Sequence, residues 1–441
     1  MAGDRLVETY KKSHPESGKL HERAMNLFAG DGATSFVRIH RPYRPYITHA
    51  KGSKKWDADG NEYIDYVMGH GALLLGHSHP TLVKAVQEQV VKGVHYGDNH
   101  ELEVEWAEQI KGMMPSAERI EFFSCGQESN LMAIRLSRIF TGRKKILRFI
   151  ENFHGWADEV ALPPDAPGIV SREVKTIPYD LDRVEEELAT EAYAILMTEG
   201  GGAHMSGQVP VDFNFVRELP SLAHKYGTVW HMDEVVTGFR DAVGGFQALV
   251  GVKPDLTSLG KIVAGGLGAG ALVGRADIMQ AFSITATRDR QVLHSGTWNG
   301  NPLASAAGIA TLKYIQNGEP QKKANRLAAS LREKGNKILK EKAVGARLYG
   351  RSITHIYLGP IEFEPSDETT PPTKDINQIV EIGLSRLRLD QHLLQRGVST
   401  LLARLFVLSS EHTEEDVDRT VSALIDSLKA MIAEGSLKQE G

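Results

Sequence analysis

Residues 228–240 read TVWHMDEVVTGFR. An apolar stretch runs from Thr228 and closes on Asp233, which is how a strand looks when it delivers a carboxylate to its C-terminal end. Residues 258–266, SLGKIVAGG, repeat the arrangement with a lysine: Lys261 follows a strand-like segment and precedes glycines that let backbones approach closely. Around these two segments the same pattern recurs. Arg119 to Ser124, Lys145 to Ile150, Ala192 to Thr198, Thr228 to Asp233, Leu256 to Leu259 and Ala271 to Gly274 are expected strands, separated by amphipathic helical stretches or glycine turns, with Gly142 as a helix stop before the second. Short apolar strands alternating with helices predict an α/β fold, a mostly parallel sheet flanked by helices. In such a sheet ligands collect at the carboxyl ends of the strands, where Asp233 and Lys261 both fall.

Working outward, KKWDADGNEYIDY at 54–66 sets an Asp-Gly turn between two alternating stretches and predicts a hairpin. A helix is expected after Pro80, with Leu82, Val83, Val86 and Val90 as its apolar stripe. The glycine-dense run 265–270 predicts close backbone packing. Beyond residue 310 a long helix, mixed strands and a final helix suggest a separate lobe. The final helix opens on Thr413 with Asp416 three residues later, a capping pair, and carries Val417, Val421, Leu424, Leu428 and Ile432 on one stripe. The expected organisation is therefore an N-terminal segment, 1–70, contributing to a small domain and the site entrance; a large domain, 71–310; and a C-terminal small α+β domain, 311–441.

Composition narrows the function. The 441 residues carry 51 basic and 56 acidic side chains without long single-sign blocks, a net charge of -5, so no footprint for nucleic acid is visible. No apolar run is long enough to span a bilayer, and the polar N-terminus lacks the apolar centre of a secretory signal, which predicts a cytoplasmic protein with no membrane role. A single cysteine, Cys125, excludes a disulfide framework and a cysteine-based metal site. His77 and His79 form a His-x-His before a proline, which reads as turn and core packing better than as a metal pair. A small-molecule substrate is the expectation.

Four segments carry chemistry. Burial of Lys261 would lower its amine pKa, and a neutral amine attacks an aldehyde carbon to form a Schiff base. Asp233 suits pairing with a pyridinium nitrogen, because a charged carboxylate keeps such a ring protonated and able to accept electrons. In FFSCGQESNLMAIRL, at 122–136, a strand gives way through Cys125, Gly126 and Gln127 to a helix whose first amides would face an oxyanion such as phosphate. In HSGTWNGNPLASAAG, at 294–308, Thr297 lies in a polar loop before a helix and could offer hydroxyl and amide to phosphate.

With WDADGNEYIDY, GHSHP, SCGQESN, FHGW, DEVVTGFR, SLGK and HSGTWNGNP in this order, the sequence resembles the class III aminotransferases, which are fold type I pyridoxal-phosphate enzymes. The resemblance implies pyridoxal 5'-phosphate as cofactor and Lys261 as its Schiff-base lysine. It implies Asp233 as partner of the pyridine nitrogen, Phe153 stacked on the ring and Val235 packed on the opposite face. Cys125, Gly126 and Gln127 take the phosphate-anchor positions, where the family usually reads Ser-Gly-Thr. Thr297 matches a phosphate ligand supplied from the second subunit, which implies a homodimer with shared sites.

Within the family the likeness is to glutamate-1-semialdehyde aminomutase and to the D-phenylglycine and beta-phenylalanine aminotransferases. GATSFVRIH, at 32–40, places Arg38 where the aminomutase arginine pairs with substrate carboxylate, a task that suits a guanidinium fork. After Trp156 the chain reads ADEVALPPDAPG and lacks the small Gly-Ser gating loop of an aminomutase. Gly200 stands where the family has the proline of Glu-Pro, after Glu199. The expected activity is ping-pong transamination from an amino acid to a keto acid, with a 2,1-aminomutase as the alternative.

Overall fold

The six stretches expected as strands pair edge to edge in one seven-stranded sheet. In chain order they are β4 (Arg119–Phe123), β5 (Lys145–Phe149), β7 (Tyr193–Glu199), β8 (Val229–Glu234), β9 (Leu256–Gly260) and β10 (Gly270–Gly274), joined by β6 (Val174–Ile177). The order across the sheet is β4-β10-β9-β8-β7-β5-β6. All neighbours run parallel except β10, which is antiparallel to both β4 and β9. The structure is a computed structural model that describes residues 4–35, 39–161, 166–170, 173–201, 211–358 and 383–437.

The central strands are apolar throughout because both faces are covered. Every residue of β7, β8 and β9 is buried. On one face, Met132, Ile134 and Leu136 of the helix Gly126–Thr141 pack against Ile146, Ile195, Met197 and Leu272. On the other, Phe215, Val216 and Leu219 of the helix Phe213–Lys225 meet Leu147, Phe149, Leu196 and Trp230. At roughly 1.5–3 kcal/mol for each fully buried large apolar side chain, these contacts fix the register of the sheet. In that register Asp233 of β8 lies beside Glu199 of β7 on one side and Ser258 of β9 on the other. Strand β6 was not expected from sequence: it is a four-residue edge strand with only Ile177 buried, too short to show a period.

The N-terminal hairpin forms as the Asp-Gly signal indicates, from β2 (Lys54–Asp57) and β3 (Glu62–Asp65), with β1 (Ile47–Lys51) on its outer edge. The Asp57 carboxylate accepts from the Asp59 and Asn61 amides and closes the turn. Strand β13 (Val398–Ser399) then pairs parallel with β3, tying the two ends of the chain together. In the C-terminal region β11 (Ala346–Gly350), β12 (Ile353–Leu358) and β14 (Leu405–Val407) form a three-stranded antiparallel sheet. It packs with the helices Glu319–Glu341, Gly383–Leu394 and Glu414–Ala433 around Leu331, Leu348, Ile356, Leu389 and Leu424. The last helix has the anticipated capping box between Thr413 and Asp416, and Val417, Val421, Leu424 and Leu428 are buried.

One expectation is corrected. The helix Pro80–Val90 forms, but its valine stripe is not a core face: Val83 and Val90 are exposed and Gln89 is the buried residue. The helix packs on Pro302–Ile315 with Leu82 and Val86 half-buried, while Val83 and Val90 stay exposed in the single chain.

Candidate active site

The carboxyl ends of β4, β5, β7, β8 and β9 all open on one cavity of about 440 Å³. Cys125, Gly126, Gln127, Phe153, Asp233, Val235 and Lys261 line it together, so seven positions spread over 137 residues of sequence meet at one edge of the sheet. The adjacency of β8 and β9 puts Asp233 and Lys261 at neighbouring strand ends. Arg38 lies outside the described residues. Thr297 does not line the cavity; it is exposed on the surface, and its carbonyl is contacted by the His95 ring.

Asp233 is almost wholly buried, and its oxygens are nearly saturated. Oδ2 accepts from His154 Nδ1 at 2.8 Å and from the Asn130 side-chain amide at 2.7 Å. Oδ1 accepts from the Val235 backbone amide at 2.9 Å. Burial pushes the carboxyl pKa up, but the hydrogen bond and charge of His154, the field of His231 and the Val235 amide outweigh it, and the net shift is downward. Asp233 is therefore held ionised in a place where an unsupported carboxylate would take up a proton. Asn130 also donates to the His154 carbonyl at 2.9 Å, locking the two donors to each other. Neither donor was singled out from the sequence. The signal for Asn130 was a polar residue one turn into a helix on its buried side; for His154 it was its place in FHGW, beside Phe153.

Lys261 follows β9 directly with a left-handed backbone, φ 52°, and opens a short 3-10 turn. Burial lowers its amine pKa, opposed by Asp233 and Glu199 and assisted by the buried Arg240. Glu199 accepts from the Phe153 amide at 3.0 Å while its own amide donates to Asn152 at 2.9 Å, so the carboxylate holds the Phe153 loop over the sheet edge. The Gly200 amide donates to the Asp233 carbonyl at 2.8 Å. A proline there has no N–H to give, and any Cβ would lie 2.4 Å from Thr237 Oγ1, which together account for glycine at this position in this chain.

Cys125 is the exposed residue preceding the helix Gly126–Thr141, and its side chain caps nothing. The first helical amides, Gly126 and Gln127, are thereby left for an anion, with the positive end of the helix dipole behind them. The Gln127 side chain is occupied elsewhere: its Oε1 accepts from the Trp156 amide at 2.7 Å, pinning the loop after Phe153. Gly126 is forced by packing, since a Cβ there would sit 2.4 Å from a Val235 methyl.

On the far wall, Gly69 and Ala72 come from a strained turn. Met68 and His70 both adopt left-handed backbones, φ 43° and 56°, a conformation that costs on the order of 1–3 kcal/mol for each side-chain-bearing residue. Nearby, His77 bonds Asp65 at 2.7 Å and His79 meets the Tyr314 ring edge-on, so the two histidines serve different packing contacts. Among the described residues no group of three or more metal-ligating side chains is found, and no helix is long and apolar enough to cross a membrane.

These residues fit pyridoxal phosphate. Oδ1 of Asp233 accepts only the Val235 amide and retains capacity for one more N–H, as a pyridinium requires. Phe153 and Val235 supply apolar surfaces on the cavity wall for a flat ring, and the helix start at Gly126 provides the cradle for phosphate.

Comparisons with known proteins agree. The family described as Aminotransferase class-III matches residues 38–162 and 171–351. The glutamate-1-semialdehyde 2,1-aminomutase of Ignicoccus hospitalis is 35% identical, over 94% of this chain and 99% of that protein. Among solved structures, the beta-phenylalanine aminotransferase of Variovorax paradoxus aligns with a TM-score of 0.87 at 27% identity, covering 99% of this chain and 98% of its own. An omega-transaminase from Sphaerobacter thermophilus aligns with a TM-score of 0.84 at 28% identity, covering 94% and 97%.

Proposed function

The chain belongs to the class III aminotransferases and is a pyridoxal-phosphate enzyme of the fold type I architecture; on that premise we propose that it moves an amino group between two separate molecules, from an amino acid to a keto acid. The observation that carries the chemistry is the meeting of Lys261 and Asp233 at neighbouring strand ends in one cavity. Lys261 would hold the cofactor aldehyde, Asp233 its ring nitrogen, Phe153 and Val235 its two faces, and the amides of Gly126 and Gln127 with Cys125 its phosphate. When bound, pyridoxal phosphate supplies an electron sink for a substrate carbon that loses a proton. Nζ of Lys261, its proton affinity lowered by burial, takes up and returns that proton, while Asp233 stays ionised throughout.

A homodimer belongs to the same reading. Thr297 is exposed beside His95 and Trp298, whose rings meet edge-on at 5.1 Å. Val90, Val91, Val94, Tyr96 and Trp298 are exposed large apolar residues of this region, a surface that a second copy would cover while bringing its Thr297 toward this cavity.

The second reading is an intramolecular 2,1-aminomutase, and the curated relatives support it better than they support transamination, because relatives from several organisms that align along nearly their full length carry that name. Against it stands the segment after Trp156. An aminomutase must retain its half-reacted substrate, and the sequence carries no Gly-Ser gating loop there. The deciding experiment is turnover of cofactor-loaded enzyme with an amino donor, with and without an added 2-oxo acid. Transamination requires the acceptor; isomerisation of a single substrate without it would overturn the proposal in favour of the aminomutase.

A further inference from the structure

Trp156 lines the same cavity as Lys261 and Asp233, yet it is 59% exposed. Looseness does not explain this, because the backbone that carries the indole is held at Phe153, His154 and Trp156 in turn. The Phe153 amide donates to Glu199 at 3.0 Å, the His154 carbonyl accepts from Asn130 at 2.9 Å, and the Trp156 amide donates to Gln127 Oε1 at 2.7 Å. Between them Gly155 adopts φ 128°, and a Cβ there would lie 2.5 Å from Gln127 Cγ, so the turn requires glycine. The indole then stands steeply against the Phe153 ring, with centroids 5.1 Å apart and planes at 68°. A tryptophan fixed at a cavity with most of its surface in water is placed to stack against a ligand.

The charged side chains among the described residues that line the cavity are already committed. Asp233 accepts from His154, Asn130 and the Val235 amide, Glu199 accepts from the Phe153 amide, and Lys261 is the residue assigned to the cofactor aldehyde. None of them is left to pair with a charged substrate side chain. The other side chains on the wall beyond Phe153 and Val235 include Ala72, Val236, Leu267 and Ala269, all apolar. An ionised side chain buried there would lack a partner, whereas an apolar one gains by leaving water. Among apolar groups an aromatic ring gains most from an indole, because a pair of π faces or edges adds attraction beyond the area it covers.

We propose that Trp156 is a specificity-determining residue, packing its indole on an aromatic ring of the substrate and so directing the site toward amino acids with arene side chains. The assignment rests on the reading of Lys261 as the residue that holds the cofactor, and it deepens that reading by naming the side chain that the substrate carries.

Three small reagents test it without a known substrate. O-benzylhydroxylamine carries a flat ring, O-(cyclohexylmethyl)hydroxylamine a saturated ring of similar size, and O-methylhydroxylamine no ring. Each attacks the same aldehyde carbon, its C=N bond forming as the bond to Lys261 Nζ breaks and the lysine leaves as a free amine. The reaction is followed on cofactor-loaded enzyme as loss of the cofactor's visible absorbance, and each rate is divided by the rate with free pyridoxal phosphate. Wild type should favour the benzyl over the cyclohexylmethyl reagent by about three- to ten-fold, the worth of one aromatic pair. Trp156→Ala should bring that ratio close to unity, with the loss falling on the benzyl reagent, and Trp156→Phe should keep most of the preference. A ratio near unity in wild type, a ratio unchanged in Trp156→Ala, or an equal loss for all three reagents would overturn the role of Trp156 and leave the cofactor assignment standing. If no reagent reacts with wild type, the placement of the cofactor on Lys261 is overturned and this proposal with it.

Discussion

His154 Nδ1 donates to Asp233 Oδ2 over 2.8 Å, and both groups are shut away from solvent. Together with the Asn130 amide this bond turns a buried carboxyl, which would otherwise protonate readily, into one that ionises below its ordinary 3.8. The sign follows directly. A carboxyl with a depressed folded pKa contributes stability that is present above the unfolded value and lost as the pH falls through the folded one. With both donors removed, in Asn130→Ala combined with His154→Ala, burial is opposed only by the Val235 amide and the field of His231, and the carboxyl pKa climbs. Cofactor affinity should then fall more at pH 5 than at pH 8, because an uncharged Asp233 no longer pairs with a pyridinium. Dissociation constants at the two pH values check this; an equal loss at both would mean that the donors serve only packing.

Lys261→Ala should leave folded protein that binds pyridoxal phosphate without a covalent link, so that borohydride no longer fixes the cofactor to the chain. Turnover should drop by about 10²–10⁴, the usual worth of a positioned acid-base group. Because burial depresses the amine pKa, covalent capture of the cofactor by cofactor-free wild type should rise with pH and level off below 10.5, the ordinary lysine value. A plateau at or above 10.5 would contradict the buried, readily deprotonated amine.

What the sequence revealed and what it withheld divide along a physical line. Asp233 and Lys261 were legible because each ends an apolar strand, and strand ends on one edge of a parallel sheet must converge. The five inner strands, β5 and β7 to β10, were legible because burial on both faces makes them nearly continuous apolar runs. The valines of Pro80–Val90 misled, since helical spacing reports an apolar face and not what covers it. Asn130 and His154 were missed as partners of Asp233 because their roles depend on three separate elements meeting, a relationship that no local pattern encodes.

Gly126→Ala tests the phosphate cradle. The added methyl would lie 2.4 Å from a Val235 methyl, so either the helix start or Val235 must shift. An overpacking cost of roughly 1–3 kcal/mol is expected. Both displaced parts touch the cofactor in this reading, so affinity for pyridoxal phosphate should fall more steeply than thermal stability of the cofactor-free protein. Titration of the cofactor beside a melting curve separates the two. Full affinity in a folded Gly126→Ala protein would show that the cradle lies elsewhere.

Gly200→Pro restores the residue that the family pattern carries after Glu199, yet here it should be damaging. The amide lost is the donor to the Asp233 carbonyl at 2.8 Å, and a substituent on this backbone would meet Thr237 Oγ1, where even a Cβ would lie at 2.4 Å. Thr237 cannot yield freely, because its hydroxyl donates to Glu234 at 3.1 Å and that carboxylate also receives the Phe246 and Gln247 amides. An unmatched buried carbonyl and a forced contact together cost about 2–5 kcal/mol, whereas Gly200→Ala keeps the amide and incurs the steric part alone. Denaturant unfolding of the two variants should therefore rank proline below alanine below wild type. A proline variant as stable as wild type would show that the Gly200 amide does not hold the end of β8.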